Sequence, residues 1–329
     1  MITGGAGFLG ARLARDLLAA GSLMVAGSGA RPIGQLTLAD QAPVPPDLAA
    51  DRRVTPLCGD LAELIRPGGP GWAALTGASV IFHLAAAVSA ECEADFDLGL
   101  RANLGATEAL LDACRATGSK PVLVFASSLA VFGNSPEHPL PAVVDDQTMP
   151  NPQTSYGVQK VIGEQLLADY TRKGFLRGRA VRLMTVCVRP GRPNGAASSF
   201  LSGIIREPLA GQRAVCPVDA HTEVALCSPA RAVAGLRCAA EASGAVWGGR
   251  SAVNLPALTV TVGDMVAALG RAAGPGVTGL IDWIPDPTVT RIVTGWPARF
   301  DAERAAGLGL LPDPDFVSIV RGYLTETRN

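Results

Sequence analysis

The chain has 329 residues, with 28 basic against 29 acidic side chains and a formal charge of −1. It is long enough to bury a sizeable core, and it has no Lys/Arg run of the kind a nucleic-acid partner requires. Hydrophobic residues make up 48%, much of it alanine, and the longest apolar stretch, residues 80–88, is interrupted by His83 and far too short to cross a bilayer, so no membrane partner is expected. Seven cysteines without a CxxC pair, three isolated histidines and the lack of a secretory leader point away from a disulfide framework or a metal centre, and towards a cytoplasmic protein with reduced thiols.

The first signal in chain order is Thr3-Gly4-Gly5-Ala6-Gly7-Phe8-Leu9-Gly10, with only Met1, Ile2 and Thr3 ahead of it as a strand and the helical run ARLARDLLAAG behind it. Gly4, Gly7 and Gly10, at GxxGxxG spacing, permit a tight turn. They let a pyrophosphate approach the N–H groups of a helix N-terminus, where the dipole favours negative charge. A glycine-rich loop without a ligand explains this turn equally well. An apolar strand over 36–39 ending in Asp40 tips the balance, because a carboxylate there accepts both adenosine ribose hydroxyls and repels a 2′-phosphate, favouring NAD over NADP. The gap from Gly10 is roughly 30 residues where about 20 is usual, and GSLMVAGSGARPIGQ reads as an insertion. A strand over 54–58 leads to Asp60, placed to meet the adenine edge or to cap a helix, two compatible roles.

Further strands over 80–84, 122–126 and 180–183 alternate with helical patterns over 103–117 and from about Thr154 onward, the signature of βαβ units. The expected fold is α/β: a Rossmann-type doubly wound parallel sheet over residues 1–183, which binds NAD and includes the helix carrying Tyr156. A smaller C-terminal lobe over 184–329 mainly binds substrate and returns in places to the first domain. After Arg189, prolines 190, 193, 208, 217 and 229 predict loops and short elements. His83, inside an apolar strand, reads as a satisfied core imidazole.

Tyr156 and Lys160 are four residues apart and share one helix face. A free phenol ionises near 10, so a phenolate at pH ~7 costs about 4 kcal/mol. A neighbouring ammonium and an oxidised nicotinamide, each contributing up to about 4 kcal/mol at 4 Å and an effective dielectric of 20, bring it within reach. Alone, the spacing is equally explained by a buried Tyr beside a snorkelling Lys. Upstream, FASSLAVFG is an apolar strand ending in two hydroxyls, of which Ser128 is suited to hold a substrate oxygen while Tyr156 takes its proton. A plain strand-end turn is the alternative.

Taken together, TGGAGFLG, HLAA, NLGAT, FASSLAVFG and YGVQK, in this order and spacing, resemble the extended short-chain dehydrogenase/reductase family over nearly the whole chain. The resemblance implies Ser128, Tyr156 and Lys160 as the catalytic group, with Asn103 shaping the active-site helix. It adds Phe8, Leu9, Leu61, Leu84, Ala85 and Ala86 to the cofactor contacts Gly4, Gly7, Gly10, Asp40, Asp60, Tyr156 and Lys160, and it implies a homodimer through the helices over 103–117 and 155–173. Family members that dehydrate sugars carry Asp-Glu after the catalytic hydroxyl, where this chain has Leu129-Ala130, so elimination of water is poorly supported. The segments RLMTVCVRPGRPNGAASSF, GIIREPLAGQ and GWPARFD are similar to family members that oxidise the 2-hydroxyl of a four-carbon sugar acid. The expected partner is therefore a small-molecule sugar acid, met by Ser128, Tyr156, Thr185, Arg192, Asn194, Ser198 and Ser199. The Arg192 fork suits the carboxylate, a contact to a cofactor phosphate or a bridge within the loop explains it equally well, and Arg206 and Arg299 are alternative anchors. The rival readings are a nucleotide-sugar epimerase of the same family and a non-catalytic NAD-sensing protein.

Overall fold

The structure is a computed structural model that describes residues 1–191 and 196–327. Its central sheet has seven strands: β1 (Ile2–Thr3), β2 (Leu36–Asp40), β3 (Val54–Cys58), β4 (Val80–His83), β5 (Val122–Ser128), β6 (Arg177–Leu183) and β7 (Val253–Asn254). All pair in parallel, in the spatial order β7-β6-β5-β4-β1-β2-β3. The order reverses between β1 and β4, so the connections leave to opposite sides and open a crevice at the carboxyl ends of these strands.

Burial on both faces explains why the inner strands were legible as apolar runs; the edge strand β3 is partly exposed, and β7 was not expected from the sequence. On β5, Val122 and Val124 belong to the same core layer as Leu13 and Leu17 of helix α1 (Phe8–Ala20), while Leu123 and Phe125 belong to the core on the other face. There they meet Leu110 and Leu111 of α2 (Ala106–Thr117) and Leu167 of α3 (Ser155–Arg172). The helix expected over 103–117 is not α-helical from its start: residues Leu100–Gly105 form a π-helical turn ahead of α2. The insertion before β2 folds as its own antiparallel hairpin, Ser22–Met24 with Ala30–Pro32, which accounts for the long spacing to Asp40 without disturbing the sheet.

The chain beyond Arg189 is more regular than its prolines predict. Pro208 lies in the last turn of α4 (Ser199–Leu209) and Pro229 is the first residue of α5 (Pro229–Glu241), where a missing N–H removes little. These prolines punctuate helices of 11 and 13 residues where loops and short elements were expected. Helix α5 and strand β7 rejoin the sheet, while Leu201, Ile204, Leu226, Met265 and Phe316 build a separate core for the lobe.

A buried ionic cluster fastens α3 to the sheet. Glu164 receives Arg182 of β6 at 2.9 and 2.7 Å and the Ser127 hydroxyl, and the Arg182 guanidinium lies 4.9 Å from the Phe132 ring. Removing one partner of a buried pair leaves an uncompensated charge. Glu164→Ala should therefore lower unfolding free energy by about 3–5 kcal/mol in denaturant titration, whereas the double replacement Glu164→Leu with Arg182→Met should stay nearer the wild type. Equal losses in both would contradict this account.

Candidate active site

Two glycines set how closely α3 lies against β5. A Cβ on Gly157 would stand 2.2 Å from the Ala130 carbonyl oxygen, and one on Gly163 would stand 2.7 Å from the Phe125 ring. Thr154 starts the helix there, its hydroxyl accepting the Gly157 N–H at 3.1 Å. Lys160 is thereby carried inside the protein, 4% exposed. Its Nζ donates to the Ala126 carbonyl at 2.9 Å and lies 4.9 Å from the Phe125 ring centre and 5.5 Å from that of Tyr156. Ser128, at the end of β5, accepts the Ala130 N–H at 3.1 Å and lines the same cavity as the Tyr156 phenol. Burial pushes the phenol up to about 12, opposed by the nearby Arg189 charge and by Ser128. Burial also lowers the Lys160 ammonium to about 8, so it remains mostly charged at neutral pH.

The expected dinucleotide contacts line two adjoining clefts. One, of about 560 Å³, is bordered by Gly4, Gly7, Asp40, Asp60, Leu61, Leu84, Ala85 and Ala86. The other, of about 280 Å³, runs from Gly7, Phe8, Leu9 and Gly10 to Ser128, Tyr156 and Lys160. The three glycines differ in what requires them. A Cβ on Gly4 would meet the Ala85 backbone at 2.7 Å and one on Gly10 the Gly4 carbonyl at 2.0 Å, so both serve the turn itself. A Cβ on Gly7 would meet only the Gly4 carbonyl, at 3.2 Å; Gly7 precedes α1 with no side-chain cap, which leaves the helix N-terminus suited to a diphosphate. These residues fit NAD. Asp40 also pins the turn, one oxygen accepting the N–H groups of Ala6 (2.9 Å) and Gly7 (3.2 Å) and the other that of Ala42 (3.0 Å). A carboxylate has about four lone-pair positions, so capacity for ribose hydroxyls remains. Asp60 caps the next helix through Ala62 and Glu63 and borders the cleft as well.

Asn103, expected among the catalytic residues, has its amide committed elsewhere. Its Oδ1 accepts from Ala87 N at 2.7 Å, and its Nδ2 donates to Gln159 Oε1 at 2.8 Å and to Ala87 O at 3.2 Å. It ties the loop after β4 to α3 and is a positioning residue, since a buried amide must satisfy its own polar atoms. His83 is held between the hydroxyls of Thr3 (2.6 Å) and Thr107 (3.0 Å), and burial lowers it to about 3, so it stays neutral.

Beyond the phenol lies a cavity of about 80 Å³, lined by Ser128, Tyr156, Thr185, Ser198, Met184, Trp296 and Arg189 among others. No acidic side chain is among its described lining residues. Ser199 is the first residue of α4. Arg192 and Asn194 lie outside the described residues. Arg206 and Arg299 are not free to anchor an anion as expected: Arg206 pairs with Glu207 and binds the Arg189 carbonyl, and Arg299 pairs with Glu223. Sequence reasoning passed over Arg189, whose signal was its place just past the carboxyl end of a sheet strand.

A family model described as the NAD dependent epimerase/dehydratase family matches residues 1–227. The chain belongs to this family. Two D-erythronate dehydrogenases are similar to it over nearly their whole lengths. That of Cupriavidus necator is 49% identical, covering 99% of this chain and 98% of the relative, and that of Haemophilus influenzae is 39% identical, covering 98% of each. A solved nucleoside-diphosphate-sugar epimerase from Agrobacterium tumefaciens is 40% identical with a TM-score of 0.89, covering 99% of this chain and 93% of that one. An L-threonine 3-dehydrogenase from Trypanosoma brucei, 21% identical with a TM-score of 0.80 over 99% and 95%, shares the fold. The family's cofactor is NAD.

Burial of Tyr156 keeps the phenol protonated at neutral pH in the protein alone. In a tyrosinate difference titration against Tyr156→Phe, the protein alone should ionise this group near pH 12. Saturating oxidised NAD should bring the transition down by up to about 3 units, the equivalent of about 4 kcal/mol of attraction. An unmoved midpoint would show that the ring and the phenol do not meet.

Proposed function

We propose that this chain is an NAD-dependent dehydrogenase that oxidises the 2-hydroxyl of a four-carbon sugar acid, D-erythronate, to 2-oxo-erythronate. The observation that carries the reading is the convergence of Ser128, Tyr156 and buried Lys160 where the dinucleotide cleft meets a small cavity. The two D-erythronate dehydrogenase relatives support the choice of substrate. Ser128 holds the substrate hydroxyl, and Tyr156 accepts its proton as the C2 hydrogen leaves. Lys160 keeps positive charge beside the phenol, and its three N–H donors allow it to bind a cofactor ribose as well as the Ala126 carbonyl. NAD, when bound, supplies the oxidised ring that takes the hydride. The lobe after residue 183 closes over this junction as the substrate-binding part.

A second reading, nucleotide-sugar epimerisation, is favoured by the name of the Agrobacterium structure. The cavity argues for a small acid: at about 80 Å³ it is well below the roughly 300–1,000 Å³ of clefts for larger ligands. Net NADH formation separates the two, because an epimerase returns its hydride. D-erythronate with NAD should yield NADH in equal amount to the oxo acid. Tyr156→Phe should lower kcat by about 10²–10⁴-fold while leaving NAD affinity within about threefold. Absence of NADH from a panel of four- and five-carbon sugar acids would sink the proposal and favour epimerisation or NAD sensing.

We also infer a cytoplasmic homodimer acting in sugar-acid catabolism. Among the described residues no helix is long and apolar enough to cross a membrane. Val158 and Ile162 lie exposed on α3, and Phe96 is exposed nearby, an apolar strip suited to the same helix of a second copy. Ile162→Asp should shift the mass measured by light scattering from dimer to monomer; an unchanged mass would remove this face from consideration.

A further inference from the structure

We propose that Arg189 is the residue that receives the substrate's carboxylate. This rests on the reading that the substrate is a hydroxy acid, and it adds the group that selects acids over neutral polyols. Among the described residues lining the small cavity, Arg189 is the only one with a charge, and it shares that cavity with Ser128 and Tyr156. The hydroxyls of Thr185 and Ser198 supply hydrogen bonds there but no countercharge, and an anion leaving water for a confined site needs both.

The arginine is braced before any ligand arrives. Its backbone N–H donates to Ser202 Oγ at 3.0 Å, its carbonyl accepts from Arg206 Nη1 at 2.8 Å, and its own Nε donates to the Val186 carbonyl at 3.1 Å. Ser202 and Arg206 are one turn apart on α4, so one helix face holds the Arg189 backbone from both sides. With Nε donating to Val186, the two terminal nitrogens of the planar guanidinium are the edge that would match a carboxylate bidentately. The carboxylate and 2-hydroxyl of such an acid sit on adjacent carbons. A guanidinium and a phenol facing one cavity of about 80 Å³ therefore read them together. The Arg189 charge is already felt by the phenol, where it opposes the upward push of burial.

Arg189 also borders the adjoining cleft beside Lys160, so the test must separate substrate from cofactor. Steady-state kinetics with D-erythronate and with its neutral amide should be compared for wild type, Arg189→Gln and Arg189→Lys, after circular dichroism confirms that each folds. Arg189→Gln should raise KM for the acid about 100-fold, change KM for NAD less than about twofold, and erase the preference for acid over amide. Arg189→Lys should fall between, and it carries the comparison if the glutamine variant does not fold. An unchanged KM for the acid overturns the proposal, as does a rise in KM for NAD with the acid preference intact. If the wild type oxidises no acid, the functional reading fails by itself, and Arg189 is then judged by binding. D-erythronate should perturb NADH fluorescence in the wild-type complex and not in Arg189→Gln, and equal or absent binding in both overturns it.

Discussion

The close approach of α3 to β5 is the constraint on which the site depends. Gly157 and Gly163 remove the two side chains that would hold the helix away from the Ala130 carbonyl and the Phe125 ring. With the helix that near, Lys160 is almost wholly buried, its ammonium hydrogen-bonded to Ala126 where it borders the dinucleotide cleft. The same contact brings Tyr156, one turn earlier, to Ser128 at the strand's end. The Glu164–Arg182 pair and the Asn103–Gln159 bond hold this geometry from two further directions, one through the sheet and one through the loop after β4.

Burial acts in opposite senses on the two titrating groups, raising the phenol and lowering the ammonium. In both it disfavours the charged form, since water is the better solvent for ions. The site by itself is thus a neutral phenol beside an ammonium that stays mostly protonated at pH 7, a poor base. A further positive charge, close by and shielded from water, would favour the phenolate, which is the effect the titration with NAD measures.

The relatives are named as D-erythronate dehydrogenases and as a nucleoside-diphosphate-sugar epimerase, although all are similar to this chain over nearly its whole length. An epimerase must let its oxidised intermediate present a second face, which takes room. Here Met184, Trp296 and Ser198 border a small cavity above the phenol, and its described lining residues include Arg189 and several hydroxyls.

Local chemistry sufficed to place the glycine turn, the acid ending β2, the serine ending β5 and the four-residue spacing of Tyr156 and Lys160, because each depends on a short segment and a two- or four-residue period. The parallel strands over 36–40, 80–83, 122–128 and 177–183 were equally legible, being largely buried on both faces, whereas β7, two residues contributed by the later part of the chain, was not expected. The π-turn at Asn103 was not, since it depends on packing between the loop after β4 and α3. The regularity of the lobe was obscured because a proline at a helix end and one inside a loop look alike in isolation. Arg189 escaped for a related reason: three nearby arginines, at 189, 192 and 206, have the same chemistry, and only tertiary contacts commit Arg206 to Glu207 and turn Arg189 towards the phenol. What a segment can become is written in its neighbours along the chain; which of several equivalent side chains meets the ligand is decided by neighbours in space.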